Sequence, residues 1–363
     1  MATQKDIAEY LNISQQAVSA SLGNGRSNTK VSLETRQRVL EAARKLRYVP
    51  NHLARSLKSG RTSVIGVIMP YCWDPHYSLL IDALALEALR RNYSLMLQFH
   101  FWSREVEEAA LRRLVEARVD GMLVHLGSRP EARMTAMLET VPVPAVSLQA
   151  TSYDRLFHGV VEKDLEREGY LAAEALLRLG HRRIDLLAAR PGLIHQRRRM
   201  KGMQLAIRRA GVEAQVQNIN LTAEELEEVE PPAPASLAAR NALGPKLAQR
   251  YFNTPHRGTA VLVGNETIAW EVMAEAARRG LSVPGDLSLI SSGTAGSTTP
   301  GPVSSSALEY DPVAMAAAAF EILLDDRDHR RVIVPQWVSR QSTAAPPVPV
   351  METRVCSGIE KDG

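Results

Sequence analysis

The sequence predicts an all-α helix-turn-helix headpiece followed by an α/β core of two Rossmann-like lobes, and three observations carry that prediction. Residues 3–61 hold 11 of the 44 Lys and Arg but only four of the 40 Asp and Glu, a net of +7, while the rest of the chain is net −3. Two short amphipathic helical patterns lie within the first 22 residues, separated by Asn12-Ile13-Ser14. From Val64 onward short apolar runs alternate with amphipathic helices, which is how parallel βα units read.

At 363 residues the chain exceeds what one ordinary core organises, so a module of about 60 residues and a body of about 280 is a natural partition. The expected divisions are a helix-turn-helix domain at 1–49, a hinge helix and linker at 50–61, a two-lobed core at 62–343 and a loose C-terminal tail at 344–363. Hydrophobic content of 45% with 23% charged residues fits a globular protein, and two cysteines, Cys72 and Cys356, exclude a disulfide framework. No apolar leader follows a basic start, and no run approaches the ~20 apolar residues that cross a bilayer. The expected location is the cytoplasm, with no membrane partner.

The headpiece builds from its caps. Thr3 caps a first helix with Asp6 three residues on, and Ile7, Ala8 and Leu11 fall on one apolar face. Asn12 tolerates the left-handed backbone of a tight turn, and Ser14 caps a second helix, Gln15 to Leu22, whose Val18 and Leu22 share the buried stripe. That places Gln15, Gln16, Ser19 and Ala20 outward near the helix start, and Gln can bond bidentately to adenine in the major groove. Ser32 caps a third helix of about 14 residues in which Val39, Ala43 and Leu46 pack inward and Arg36, Arg38, Arg44, Lys45 and Arg47 stay outside. From spacing alone, a three-helix bundle with a solvated basic face stands beside a DNA-reading module. The local excess of cation favours phosphate binding.

Asn51 to Leu57, "NHLARSL", has the length of two helical turns, too short to hold in water without a partner. Leu53, Ala54 and Leu57 form one small apolar face, the kind of surface that wedges between base pairs in a minor groove; a plain linker is the alternative.

The body continues with "VIGVIM", Leu79 to Arg91, "SLMLQF", Glu105 to Ala117, "GMLVH" and "PVPAVSL" as one βα series. A second runs through "YLAAEALLRLGHRRIDLLAA", Arg199 to Ala210, "TAVLVGNE", Ile268 to Arg279 and "DLSLISS". Two such lobes place a ligand cleft at the carboxyl ends of their strands. "LTAEELEEVEPPAPAS" is expected to project as an acidic, Pro-rich loop.

Taken together, "QKDIAEYLNISQQAVSASL", "VSLETRQRVLEAARKLRYVPNHLARSL" and "IGVIMP" resemble the N-terminus of the LacI/GalR family of transcription regulators. "RVDGMLV", "LGHRRIDLLA", "RRRMKG", "RRGLSVPGDLSLIS" and "VSRQST" extend the resemblance over most of the chain. It implies a periplasmic-binding-protein-like core, a homodimer on a pseudo-palindromic double-stranded DNA operator, and Leu57 from each protomer inserted at the central minor groove. By position it implies DNA contacts from Thr3, Ser14, Gln15, Gln16, Ser19 and Asn24, with Asn51, Ala54 and Leu57 in the hinge; the exposed Ala20 completes the set. Three chain crossings between lobes are implied too, placing the first lobe at about 62–163 plus 303–328 and the second at about 164–302 plus 329–343. The loop "GNGRSNTK" is longer than in the best-known members.

The resemblance also implies effector contacts at His76, Tyr77, Gln149, Arg199 and Asn265, beside which Trp73, Asp74 and Trp102 follow strands on the same rim. Aromatic faces stack on rings and a guanidinium holds oxygens in a fork, which suits a sugar ring or a base and points first to a sugar-like small-molecule effector. Two departures weaken the hydroxyl clamp: Gly293 stands where sugar-binding members carry Asp, and Gln149 where an acidic residue is frequent.

Enzyme signals fall away. Ser27 to Lys30 matches a Ser-x-x-Lys nucleophile but lacks its companion motifs. There is no phosphate-binding glycine loop and no His pair at metal spacing, and His181 reads as a favourable helix end. No catalytic residue, cofactor or metal is expected. The sequence is thus read as an effector-modulated DNA-binding repressor, with a DNA-binding regulator under protein-partner control and a solute-binding protein with a vestigial headpiece as the alternatives.

Overall fold

The computed structural model describes residues 2–22, 31–48, 60–127, 132–149, 151, 153–190, 192–229, 242–295, 303–325 and 329–347. It divides into a headpiece unit ending at Thr62 and a core unit beginning at Ser63.

In the headpiece, α1 (Gln4–Leu11) opens on a reciprocal capping box: Asp6 N–H bonds to Thr3 Oγ1 while the Asp6 carboxylate takes the Thr3 N–H. Asn12 ends it at φ 52°, and Ser14 Oγ accepts from Ala17 N–H to start α2 (Gln15–Leu22). Ser32 caps α3 (Leu33–Lys45). Ile7, Val18 and Val39 are fully buried and, with Ala8, Ala42 and Ala43, tie the three helices into one small core.

The first lobe is a six-stranded parallel sheet in the order β11-β5-β4-β3-β1-β2. Its strands are β1 (Val64–Met69), β2 (Ser94–Phe99), β3 (Gly121–Val124), β4 (Ala145–Ser147), β5 (Gly159–Lys163) and β11 (Arg330–Ile333). Period-two alternation splits its side chains between two helix layers. Ile65, Val67 and Met69 pack on α4 (Pro75–Arg90) and α12 (Pro312–Asp325), whereas Ile68, Met122 and Val124 pack on α5 (Arg104–Glu116) and α6 (Ala132–Glu139). The helix expected from Leu79 starts four residues earlier, because Asp74 caps it and Pro75 fits the first turn, where no N–H is needed.

The second lobe repeats the plan in the order β12-β10-β9-β8-β6-β7, with β12 (Gln336–Val338) antiparallel to β10 (Ser306–Tyr310). The other strands are β6 (Arg183–Leu187), β7 (Gln215–Ile219), β8 (Ala260–Val263) and β9 (Ser288–Thr294). Helices α7 (Leu165–Arg178) and α8 (Ile194–Ala210) cover one face, and α10 (Leu243–Asn253) and α11 (Glu266–Arg278) the other.

The chain crosses between lobes after Lys163, after Tyr310 and between Ile333 and Gln336. The lobe limits expected from sequence therefore need correction. Segment 306–310 belongs to the second sheet, through β10 pairing with β9, and 330–333 to the first, through β11 pairing with β5. Both are short and poorly alternating, so pairing decided their sheet, Ser306 with Ile290 and Arg330 with Val160.

Two more expectations change. The segment expected to project as an acidic loop is helical over 223–229: Thr222 and Glu225 form a capping box, and α9 (Ala223–Val229) buries Val229 in the second-lobe core, while 230–236 lie outside the described residues. His181 is buried and its Nε2 faces the Ala344 carbonyl, so that nitrogen donates and Nδ1 accepts from the Thr259 hydroxyl. Burial lowers its pKa, which leaves it a neutral tie rather than a helix-end charge. That tie, and the bonds between Ala344 and Ser288, fasten the start of the segment expected to be a loose tail.

Helices α7 and α8 cross at two glycines. A Cβ on Gly202 would stand 1.9 Å from the Glu166 carbonyl oxygen, and one on Gly169 2.0 Å from that of Arg199. The main chain on each side has no room to yield. Gly202→Ala is expected to destabilise the core by about 3 kcal/mol or more through forced separation of the helices, whereas Gln204→Ala, on the exposed side of the same helix, stays within about 0.5 kcal/mol. Urea unfolding followed by tryptophan fluorescence checks both.

Candidate nucleic-acid interface and effector cleft

On the headpiece, Thr3, Ser14, Gln15 and Gln16 are exposed, and Ser19 and Ala20 are partly exposed. Ser14, Gln15, Gln16, Ser19 and Ala20 lie at or just before α2, whose buried face is Val18 and Ser21, so the opposite face is presented outward. Thr3 and Ser14 spend their side-chain oxygens as caps, which fixes where the two glutamines stand. Asn24, Asn51, Ala54 and Leu57, and the Ser27 to Lys30 string, lie outside the described residues.

In the core unit the cleft gathers at the carboxyl ends of both sheets. After β1 the chain runs through Tyr71, Trp73 and Asp74 into α4. Trp73 stacks on Tyr71 with ring centroids 4.2 Å apart and planes 12° from parallel, and stays 45% exposed. Tyr77 meets the edge of Tyr71 at 5.1 Å. Phe101 and Trp102, after β2, hold left-handed backbones at φ 53° and 61°, a costly pair for aromatic residues. Hydrogen bonds compensate: Phe101 N–H to the Pro70 carbonyl and Trp102 N–H to His100 Nδ1 at 3.1 Å. Trp102 lies over Gly127, where a Cβ would be 2.3 Å from its ring, and 37% of it is exposed.

His100 is fully buried. Its Nδ1 accepts from Trp102, so the proton sits on Nε2, which donates to the His125 carbonyl at 3.0 Å. His76 is placed the same way: the Lys163 ammonium donates to its Nδ1 at 3.3 Å, and the Thr294 hydroxyl, from the other lobe, lies 3.1 Å from that nitrogen. Burial lowers the pKa of His76 and His125 well below the usual histidine value, that of His100 to about 4 and that of His195 to about 3. These rings are neutral at pH 7.

Asp74 caps α4 through the His76 N–H and accepts from Thr267 Oγ1, a second-lobe hydroxyl, at 3.1 Å. Burial raises its pKa, while the His76 N–H and Thr267 hydroxyl work the other way. Asn265 caps α11 and also lies 3.1 Å from the Thr267 hydroxyl, so Thr267 joins these two candidates. Gln149 donates to the Leu126 carbonyl. The guanidinium of Arg199 is buried on Glu168, Nε to Oε1 at 2.9 Å, rather than opening freely to the cleft. At Gly293 a Cβ would stand 3.3 Å from Glu266 Oε1, so a neighbouring carboxylate already lies where the sequence lacks one. Lys163, the last residue before the first crossover, has its ammonium 4.8 Å from the Tyr310 ring, and burial lowers its pKa to about 8 against the pull of Glu168.

The structure thus brings Trp73, Asp74, His76, Tyr77, Trp102 and Asn265 into one connected set, with Gln149 and Arg199 turned to internal partners. Sequence reading missed Tyr71, His100, His125, Lys163, Glu168 and Thr267. His125 follows β3 directly and Lys163 ends β5, so both were findable by their place at a strand end; Glu168 carried no such signal. Among the described residues no group of three His, Cys, Asp or Glu could hold a metal, and no helix is long and apolar enough to cross a membrane.

The family described as bacterial regulatory proteins, lacI family, matches residues 3–51, and the periplasmic binding protein-like domain matches 173–343. The chain belongs to the LacI/GalR family. HTH-type transcriptional repressors PurR of Escherichia coli O139:H28 and of Shigella sonnei are each 27% identical over 357 residues, covering 96% of this chain and 98% of theirs. Among solved structures, the lac repressor dimer bound to operator and the anti-inducer ONPF is similar with a TM-score of 0.75 at 21% identity, over 95% of this chain and 99% of that one. The complex of the transcriptional regulator CelR with cellobiose has a TM-score of 0.59 at 19% identity, over 94% and 100%. This LacI/GalR member is a DNA-binding transcription regulator whose core has the architecture of a ligand-binding domain.

The His100 proton balance has a measurable consequence. Unfolded, the ring titrates near ~6.5; folded, near 4. The unfolded chain therefore binds the extra proton between those values, so this contribution is complete above pH 6.5 and is lost as pH falls toward 4, at up to about 1.4 kcal/mol per pH unit. His100→Gln can reproduce both hydrogen bonds without titrating. Its stability is expected to fall less steeply than wild type between pH 6.5 and 4.5 in urea titrations followed by tryptophan fluorescence; parallel curves count against the assignment.

Proposed function

We propose that this protein is a homodimeric repressor that reads a pseudo-palindromic operator through α2 and a hinge, and whose operator affinity is set by a small, sugar-like ring ligand in the core cleft. The observation that carries the reading is one chain uniting an outward-facing Gln15 and Gln16 on a capped helix-turn-helix with a two-lobed core whose strand ends bear the partly exposed rings of Trp73 and Trp102. Dimerisation and operator binding are supported by the lac repressor dimer, bound to its operator, and a sugar by the CelR complex with cellobiose.

In this reading Thr3, Ser14, Gln15, Gln16, Ser19, Ala20 and Asn24 meet the major groove and its phosphates, and Asn51, Ala54 and Leu57 the central minor groove. Trp73 and Trp102 stack on the ligand ring, while Asp74, His76, Tyr77, Gln149, Arg199 and Asn265 shape the walls. Because the cleft lies between lobes joined by three crossovers, a bound ligand changes their relative angle, and the dimer passes that change to its hinges. Coupling is reciprocal: operator and ligand each alter the other's affinity by the same factor. Access to DNA places the protein in the cytoplasm.

Selection of bound fragments from random DNA, followed by gel shifts, tests this. Wild type is expected to enrich a two-fold symmetric site with affinity that falls steeply with salt. Gln16→Ala is expected to cost about 1–3 kcal/mol on that site and little on unrelated DNA, and Leu57→Ala to weaken operator binding while leaving ligand affinity unchanged. Uniform, weak binding to all DNA at low salt would overturn the reading. Trp73→Ala is expected to weaken the bound ring ligand by about tenfold, read by calorimetry.

A further inference from the structure

The geometry points to an uncharged effector: we propose that Glu168 is an internal counter-anion filling the Arg199 fork, so that the cleft selects a neutral ring ligand over its acidic counterpart. This rests on the cleft being the effector site.

Arg199 and Glu168 form a two-pronged pair, Nε to Oε1 at 2.9 Å and an Nη to Oε2 at 3.3 Å. Arg199 is 6% exposed and Glu168 not at all. Two further groups join the pair, while the second Nη of Arg199 makes no hydrogen bond among the described residues. Tyr310 donates its hydroxyl to Glu168 Oε2 at 2.8 Å, and the Arg199 Nη that bonds Oε2 reaches Ser292 Oγ at 3.4 Å. A carboxylate from outside would have to expel one buried inside, which already has better hydrogen bonding than a mobile ligand could bring.

The neighbouring guanidinium groups are paired in the same manner. Arg198 pairs with Glu162, which also holds Arg330. Lys163 lies within the fields of Glu168, Asp74 and Glu266 and donates to His76. The imidazoles of His76, His125 and His195 carry no charge at neutral pH. An acidic ligand entering among these groups loses its hydration and finds Arg198, Arg199 and Arg330 already paired with carboxylates. A neutral ring loses far less and gains the faces of Trp73, stacked on Tyr71, and Trp102.

The test pairs neutral rings with their acidic counterparts, hexoses with uronates and sugar phosphates, nucleosides with monophosphates, by calorimetry on the full chain. Wild type is expected to bind a neutral member at least about a hundredfold more tightly than its acidic partner. In Glu168→Ala that preference is expected to narrow at least tenfold, and acetate or formate, but not chloride at equal ionic strength, to raise the melting temperature saturably by re-entering the vacated fork. Wild type is expected to show no such acetate effect. Equal acetate stabilisation of both proteins would overturn the assignment, as would an acidic ligand that binds wild type as tightly as its neutral partner. Should Glu168→Ala not fold, Glu168→Gln keeps the shape without the charge, and an unchanged neutral-to-acidic ratio in that variant would overturn it equally. Silence of wild type across the whole panel would sink the effector reading itself, while the acetate comparison would still decide the role of Glu168.

Discussion

The close crossing of α7 and α8 at Gly169 and Gly202 sets the position of nearly everything at the centre of the core. With no side chain at either glycine, the two helices meet through main-chain atoms, and Arg199 is carried against Glu168 one turn after the first crossover. Tyr310, the last residue of β10 before the second crossover, completes the network from the adjacent strand. A buried ion pair adds little net stability once desolvation is counted, and is tolerated only when its hydrogen bonds are filled. Here Glu168 is held by Arg199 and by Tyr310, which ends β10 at the second crossing, so the network ties the junction of the lobes to one arrangement.

The same network decides the character of the cleft. Cross-lobe contacts from Asp74 to Thr267 and from His76 to Thr294 join opposite walls directly. The arginines at its walls are paired with carboxylates, the imidazoles are neutral, and the rings of Trp73 and Trp102 stay partly exposed. The headpiece works by the opposite logic, with a net excess of cation and exposed amide side chains. One unit suits a polyanion whose counterions are released on binding; the other suits a compact ring that must give up little hydration.

Much of this was legible in the sequence where the physics is local. Thr3 with Asp6, Asn12, Ser14 and Ser32 each announce a helix end because a cap needs only residues three or four apart. Long apolar runs such as "VIGVIM" and "TAVLVGNE" became central strands because burial on both faces demands continuous hydrophobicity. The edge strands β11 and β12 and the second-lobe strand β10 were misplaced or unseen, since what distinguishes them is a distant partner. The acidic segment at Thr222 was misjudged because charge outweighed its capping box and the single anchor Val229. In the cleft, residues following strands were recognised, but Glu168 lies within a helix and became visible only through the residue it pairs with.

The sequence by itself determined that a cationic helix-turn-helix precedes two βα lobes, because caps, periodicity and charge distribution act over a few residues. It also determined the family, through ordered strings spread along most of the chain. Only the tertiary structure decided which lobe owns each crossover strand, and that Arg199 serves a buried carboxylate instead of standing open. Those outcomes depend on groups 31 residues apart in one case and more than 140 in another, brought together by helix crossing and strand pairing. No local pattern carries such distances.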